Sequence, residues 1–564
     1  MLRKKISNHL LILFTFFSFF IFCYSFFAHK TELSEPTSAL GGGQIQHPDG
    51  TKGSSRCNQG ELSWFVDVNN LNLIIQDTPI FYDSAYGPNI EFTLTYNLLA
   101  KNGKNNAIGN RWTHNYSEYV TFDETKEAIT HHGAYGRIET YVVSGDKYYP
   151  DSANLIAGER INMPVLSRVS DYIYAHFMDG SYKVYKAFSD NTYRLTKLVD
   201  RSGNAVQVVF DNQRLIRVTN SEGKSLNFYY SDSKLVRIDI NNELSAEFGY
   251  NSNGYLTKVV DFEDKNFAFS YDENGFIHQI TDDRGTTFID YEPEASMPAS
   301  ESVGKSMSDN SKKNHRIIIT DNKGQQSEYF YESSSGMSWY IAPEFYVPPK
   351  ERKDKDYLFK VPKTTYHYKR FNKGYSRLSK ITYPDGFIEY YTYDENRNLS
   401  QIKYSNGDFY TYENNIYGNV IKSFDRYGNV TDYTYDHNQN LVKLSSVLGV
   451  ETFSYDSKNR LISEKDTNGN ITWYKYNKKG QYKFIKNSDH KILDFIYDKS
   501  GRLIKILDKN NVFAEFDYNI FGKASPVNDD DYQYASATDV LELNWYGKNL
   551  QIYPKDSDDL GLYF

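Results

Sequence analysis

The chain has 564 residues, 16% of them aromatic and 51 of them tyrosine, with 72 acidic and 64 basic side chains giving a net charge of -8. A near-balanced charge with no basic stripe argues against a nucleic-acid partner. Aromatic enrichment on this scale suits a pleated, half-buried sheet better than helices and sets an all-β expectation.

Arg3, Lys4 and Lys5 precede an uncharged apolar run from Leu10 to Ala28, which predicts an N-terminal hydrophobic helix over residues 1–28. It reads either as a signal peptide cleaved near Ser25 to Ala28 or as a membrane anchor with its basic end inside. Both readings place the remainder outside the cytoplasm, with membrane contact only through this segment. Residues 29–58 carry Pro36, Gly41, Gly42, Gly43, Pro48, Gly50 and Gly53 and are expected to be a flexible linker. Only two cysteines occur, Cys23 in the leader and Cys57 in the linker. Removal of the leader leaves Cys57 without an internal disulfide partner, and its Gly/Ser/Gln-rich setting reads as linker rather than as a nucleophile's site.

Residues 59–190 form a β-rich region without a strict period, with strands at Leu71–Ile75, Phe92–Tyr96 and Tyr119–Phe122. His131 and His132 adjoin Gly133 and read as a turn, since no further Cys/His cluster supports a metal pair.

A repeat array follows over 191–523. A tyrosine followed by an acidic or amide residue returns about every 20 residues, with an aromatic or apolar residue two positions earlier, as in Phe248/Tyr250, Phe269/Tyr271, Tyr433/Tyr435, Phe453/Tyr455, Tyr474/Tyr476 and Phe495/Tyr497. Side chains two apart share one face of a strand. Four residues after the tyrosine stands a Gly (Gly254, Gly275, Gly480, Gly501) or Asn459, suited to positive φ in a tight turn. Six after it stands an apolar residue such as Leu256, Ile277, Leu441 or Leu503, and in most copies another three further on, such as Val259, Ile280, Leu444 or Ile506. A spacing of three cannot hold one face of a flat strand, so a bulge is expected. A second turn, such as Asp466–Asn470, closes each hairpin. That turn faintly resembles a calcium loop, but position twelve is Asn477 instead of Glu, and it reads as structural. Tyr329/Tyr331 and Tyr366/Tyr368 continue the array between inserted loops near 292–314 and 333–362. The charge run Lys350 to Lys355 in the second is expected to be solvated, and residues 524–564 form a tail.

These repeats resemble the YD repeats of Rhs proteins and the related teneurin and Tc-toxin C components over roughly residues 60–523. The strand ending Thr95-Tyr96-Asn97 and the Gly109-Asn110-Arg111-Trp112 element are similar to the segment that opens many Rhs chains. The resemblance implies a long antiparallel sheet of hairpins curling into a β-shell around a partner or toxin. The family's Asp-Pro processing motif is absent, and about forty residues after Gly522 are too few for a typical toxin domain. Self-cleavage and a toxin in cis are therefore not expected, and the array, short for a closed cocoon, is expected to form a partial or open shell.

No His-Glu-x-x-His, Gly-x-Ser-x-Gly, Walker loop or Cys-x-x-Cys occurs, so no catalytic, cofactor or metal residues are assigned. The expected function is a non-enzymatic exported scaffold enclosing or presenting a polypeptide such as a toxin. A cell-surface adhesion or glycan-binding protein is the alternative, and a hydrolase within 60–190 a third reading.

Overall fold

The computed structural model describes residues 62–520 apart from 69–70, 101–106, 124–126, 135–137, 152–162, 190, 213, 293–314, 333–334, 336, 353–356 and 371–375, and beyond them strands Ala524–Pro526, Gln533–Tyr534, Leu541–Trp545 and Lys548–Ile552. The N-terminal helix expected over 1–28, the linker 29–58 with Cys57, and all but the first residue of the loop 292–314 lie outside the described residues. Among those described, no helix is long and apolar enough to cross a membrane.

The protein is all-β and almost wholly antiparallel. Four strands, Ser63–Asp67, Asn72–Tyr82, Ile90–Asn97 and Trp112–His114, make a sheet of their own. Eight more, running from Tyr119–Phe122 to Thr192–Val199, close into a ring because the last strand is shared. Its first half, Thr192–Arg194, pairs with Tyr119–Thr121, and its second half, Lys197–Val199, pairs with Ala205–Gln207. From that fork the repeat sheet continues strand by strand to Ala524–Pro526. The expected open sheet thus describes the repeats but not their N-terminal end, where one forked strand supplies closure.

The repeat is a bulged hairpin, as its spacing predicts. Tyr455 faces Leu461 and Ser454 faces Ser463, so Ile462 is the extra residue. The same slip puts Tyr250 opposite Leu256 and Phe248 opposite Val259. Bulging raises local twist, and its recurrence at most hairpins curls the sheet. The acidic residue after the tyrosine holds the adjoining turn. Asp456 Oδ1 accepts the backbone N–H groups of Lys458 and Arg460 at 2.9 and 3.1 Å, an Asx turn. Asp466 does the same for Asn468 and Asn470 at the opposite rim. In the turns that follow the tyrosine, Asn459 and Gly480 take φ of +58° and +89°.

The curl brings distant turns together. Arg201 Nη1 donates to the Asn459 carbonyl at 2.7 Å, Asn459 Nδ2 to Met178 O at 3.1 Å, and Asn204 Nδ2 to Lys479 O at 2.9 Å. Turns about 258 residues apart in sequence therefore form one seam.

The second insertion corrects two expectations. Residues 333–362 contain a sheet strand, Met337–Ile341, and a short helix, Tyr357–Lys360. Arg352, within the charge run, is not solvated: its side chain is 8% exposed, and its guanidinium pairs with the fully buried Glu328 and lies 4.6 Å from the Tyr357 ring centroid. The buried Glu328 carboxylate takes Arg316 on one oxygen, at 3.0 Å, and Arg352 on the other, because a carboxylate so desolvated needs close cationic partners.

Candidate binding surface

The repeat strands present the ladder aromatics to one face, which is buried in the early and late repeats and half-covered between them. Between Val206 and Ile289 its residues are apolar and buried, among them Val208, Phe228, Ile238, Phe248, Val259, Phe269 and Ile280. Their cover is the chain's own four-stranded sheet, whose strand Asn72–Tyr82 is buried along all 11 residues. Between Ile388 and Tyr455 the same row holds Tyr391, Ile402, Tyr410, Tyr433 and Phe453, all only half-buried, with a buried Leu444 opposite Tyr433 and the polar Ser423 and Thr431 interleaved. Here the internal sheet no longer covers the wall.

The internal sheet docks through the residues that carry the family resemblance. Trp112, fully buried, donates its indole N–H to the Tyr271 hydroxyl at 2.9 Å. Its ring lies 5.1 Å from Phe269 and 5.4 Å from Tyr96. The Ile277 N–H donates to the Tyr96 hydroxyl at 3.2 Å. Gly109, at φ +122°, brings its backbone so near the array that a Cβ would lie 3.2 Å from the Leu256 nitrogen. Phe92 packs edge-on against Phe228. Each such side chain contributes about 2–3 kcal/mol by burial.

Two acids stand inside this interface. Asp77, opposite Leu94, is the last residue before the register of its strand slips on the way to Ile80, and is fully buried, as is Asp261 on the array side. The Phe262 N–H donates to Pro79 O at 3.1 Å and the Phe81 and Phe262 rings meet edge to face, fixing the two segments together. Asp261 Oδ1 caps its turn by accepting from Glu263 and Lys265. Burial and the Asp261 charge push the Asp77 carboxyl up to about 7, against partial relief from the Thr78 N–H. The only sequence signal was an acid, flanked by Gln76 and Thr78, between the apolar runs Leu73–Ile75 and Ile80–Phe81.

A second polar cluster lies in the eight-strand ring. His131 and His132 are not a turn; they end the strand Ala128–His132, because their backbone pairs with Glu139 and Ile138. His131 lies 3.4 Å from Glu118 and 3.2 Å from Glu139, and Lys183 lies 3.0 Å from Glu118. Tyr185 and Tyr141 hydroxyls complete the cluster. Burial opposes the His131 cation, yet its hydrogen bonds to the Glu118 and Glu139 carboxylates outweigh it and raise its pKa to about 9. Burial likewise opposes the Glu118 anion, but Lys183 and His131 hold it near 2. An imidazole saturated by two carboxylates has no lone pair to offer a nucleophile, so the cluster ties strands of the ring together. Neither Glu118 nor Glu139 could be singled out in sequence, because strand pairing alone brings them to His131.

Asp466 spends its carboxylate on its turn: Oδ2 also accepts from Asn470 Nδ2 at 2.9 Å. No group of three or more His, Cys, Asp or Glu suited to a metal occurs among the described residues.

No family model and no curated protein matches the chain. Solved structures do. A TcdB2-TccC3-Cdc42 crystal structure aligns at 10% identity and TM-score 0.43, over 81% of this chain and 27% of that one. A TcdB2-TccC3 structure aligns at 10% identity and TM-score 0.33, over 85% and 30%. A porin-like protein from Bacteroides uniformis aligns at 13% identity and TM-score 0.15, over 46% and 91%. The chain spans less than a third of the two TcdB2-TccC3 chains.

Proposed function

We propose that this protein is a non-enzymatic, exported β-shell scaffold whose inner wall holds a polypeptide partner. One observation carries the reading: the wall already holds polypeptide. Its first region, Val206 to Ile289, binds the chain's own sheet, while the region from Ile388 to Tyr455 offers the same strand geometry, aromatic but more polar and half-covered. A wall of aromatics interleaved with Ser423 and Thr431 suits a mixed apolar and polar polypeptide surface.

The test is to purify the exported chain and ask what is shielded within it. A polypeptide that survives protease with the wild type, and becomes cleavable when Tyr410 and Tyr433 are both replaced by Asp, supports the reading. An intact shell that carries nothing and selectively binds immobilised glycans would sink it. That outcome favours the surface-adhesion reading, for which the outward Tyr229, Tyr390 and Trp473, each about two-fifths exposed, are the candidate sugar-stacking rings.

A further inference from the structure

A cleft of about 430 Å³ opens where three parts of the chain meet: the internal-sheet loop at Tyr82–Tyr86, the turn at Glu222–Lys224, and the late repeats from Lys479 to Arg502. Its volume is that of a small-molecule site. Four cations line it, Lys224, Lys479, Lys499 and Arg502, against the carboxylates of Glu222 and Glu243.

The charges are unevenly spent. Arg502 pairs with Asp498 at 2.7 Å. Glu222 accepts from the Ala85 N–H and, at 3.4 Å, from the Tyr82 hydroxyl. Lys479 rests its ammonium 3.8 Å from the Tyr86 ring centroid, and Lys224 lies 5.4 Å from that of Tyr82. An aromatic face orients an ammonium without neutralising it. None of the three lysines takes part in an ion pair among the described residues. The cleft therefore concentrates positive charge although the whole chain is negative.

We propose that this cleft binds a compact oligoanion, through phosphate or clustered carboxylate groups, and that the bound anion clasps the late repeats to the internal sheet. Gln481 already joins the same parts, its Nε2 donating to Ala85 O at 2.8 Å and Gly501 O at 2.7 Å. An anion bridging Lys224 and Lys499 adds charge-assisted contacts across that junction. This site is separate from the inner wall and does not depend on what the wall holds.

Titration calorimetry on the full chain tests it, with tripolyphosphate and citrate as probes and sulfate at matched ionic strength as reference. One saturable site is expected, tripolyphosphate or citrate identifying the preferred group. Lys224→Gln and Lys499→Gln should each weaken it at least tenfold, while Lys465→Gln, at the end of strand Leu461–Lys465 and outside the cleft lining, leaves it unchanged. Saturating ligand should also slow amide exchange over residues 498–518. The proposal fails if neither probe binds above the sulfate reference, or if both cleft variants bind like the wild type.

Discussion

Trp112 donates its indole N–H to the hydroxyl of Tyr271, and Tyr271 donates in turn to the Leu256 carbonyl 2.6 Å away. The second bond recurs through the array, with Tyr435 reaching Val420 O at 2.9 Å and Tyr476 reaching Leu461 O at 2.7 Å. A ladder tyrosine thus ties its own hairpin to the preceding one, and at Tyr271 the same hydroxyl also ties down the internal sheet. Tyr271→Phe should therefore cost more than Tyr435→Phe. The former strands a buried indole N–H, about 2–3 kcal/mol in all, against about 1 kcal/mol for the latter. Denaturant melts of the two variants, with Trp112→Phe in a double-mutant cycle, check the difference.

Asp77 makes the internal sheet sensitive to pH. Its folded-state pKa of about 7 lies above the ordinary 3.8, so the folded state holds the proton more tightly than the unfolded one. The stability it contributes is full below about pH 4, declines as pH rises and is gone above about pH 7. Asp77→Asn should flatten that decline, leaving the variant on the order of 3 kcal/mol more stable than the wild type at pH 8 and nearly equal to it at pH 4. Amide exchange of strand Asn72–Tyr82 across this range measures it, and a wild-type slope that persists in the variant would refute the assignment.

The ring has its own pH window. His131, raised to about 9 from 6.5, contributes stability that is complete below 6.5 and lost as pH passes 9. Glu118, depressed to about 2 from 4.5, contributes above 4.5 and loses its effect as pH falls through 2. His131→Phe should therefore cost most between those limits, about 3 kcal/mol, because it leaves buried carboxylates under-paired. Near pH 10 the penalty should shrink. Thermal melts at pH 6 and pH 10 distinguish this from simple overpacking, whose cost does not vary with pH.

Gly469 and Gly480 both have φ near +89°, but their surroundings differ. A Cβ at Gly480 would lie 2.8 Å from the Ser202 Cβ across the seam, whereas at Gly469 the nearest atom is the end of Lys465 at 3.8 Å. Gly469→Ala should cost about 1 kcal/mol of backbone strain. Gly480→Ala adds a steric clash across the seam that Ser202→Gly should partly relieve. Limited proteolysis at the seam, comparing the single and double variants, reports the relief.

Much of this architecture was legible in the chain. The aromatic pair, the glycine or asparagine four residues on and the apolar residues at six and nine determine a bulged hairpin, because alternation, positive φ and a three-residue step are local constraints. Asp456 and Asp466 act within four residues of themselves, so their turns could be read directly. His131 could not, since only strand pairing sets Glu139 opposite it and Glu118 beside the strand paired with its own. Arg352 misled for the same reason: a charge run looks solvated until Glu328, 24 residues away, is buried beside it.

The amino-acid sequence by itself determined the repeating unit, the face its aromatics share and the direction of its turns. Only the tertiary structure decided what that face meets. It folded the Tyr96 and Trp112 segment inward over the first region, left the wall from Ile388 to Tyr455 half-covered and gathered Lys224, Lys479 and Lys499 into one cleft. The physical reason is range: hairpin geometry is fixed by neighbours in sequence, whereas small bulge twists sum over many strands to set which distant residues touch.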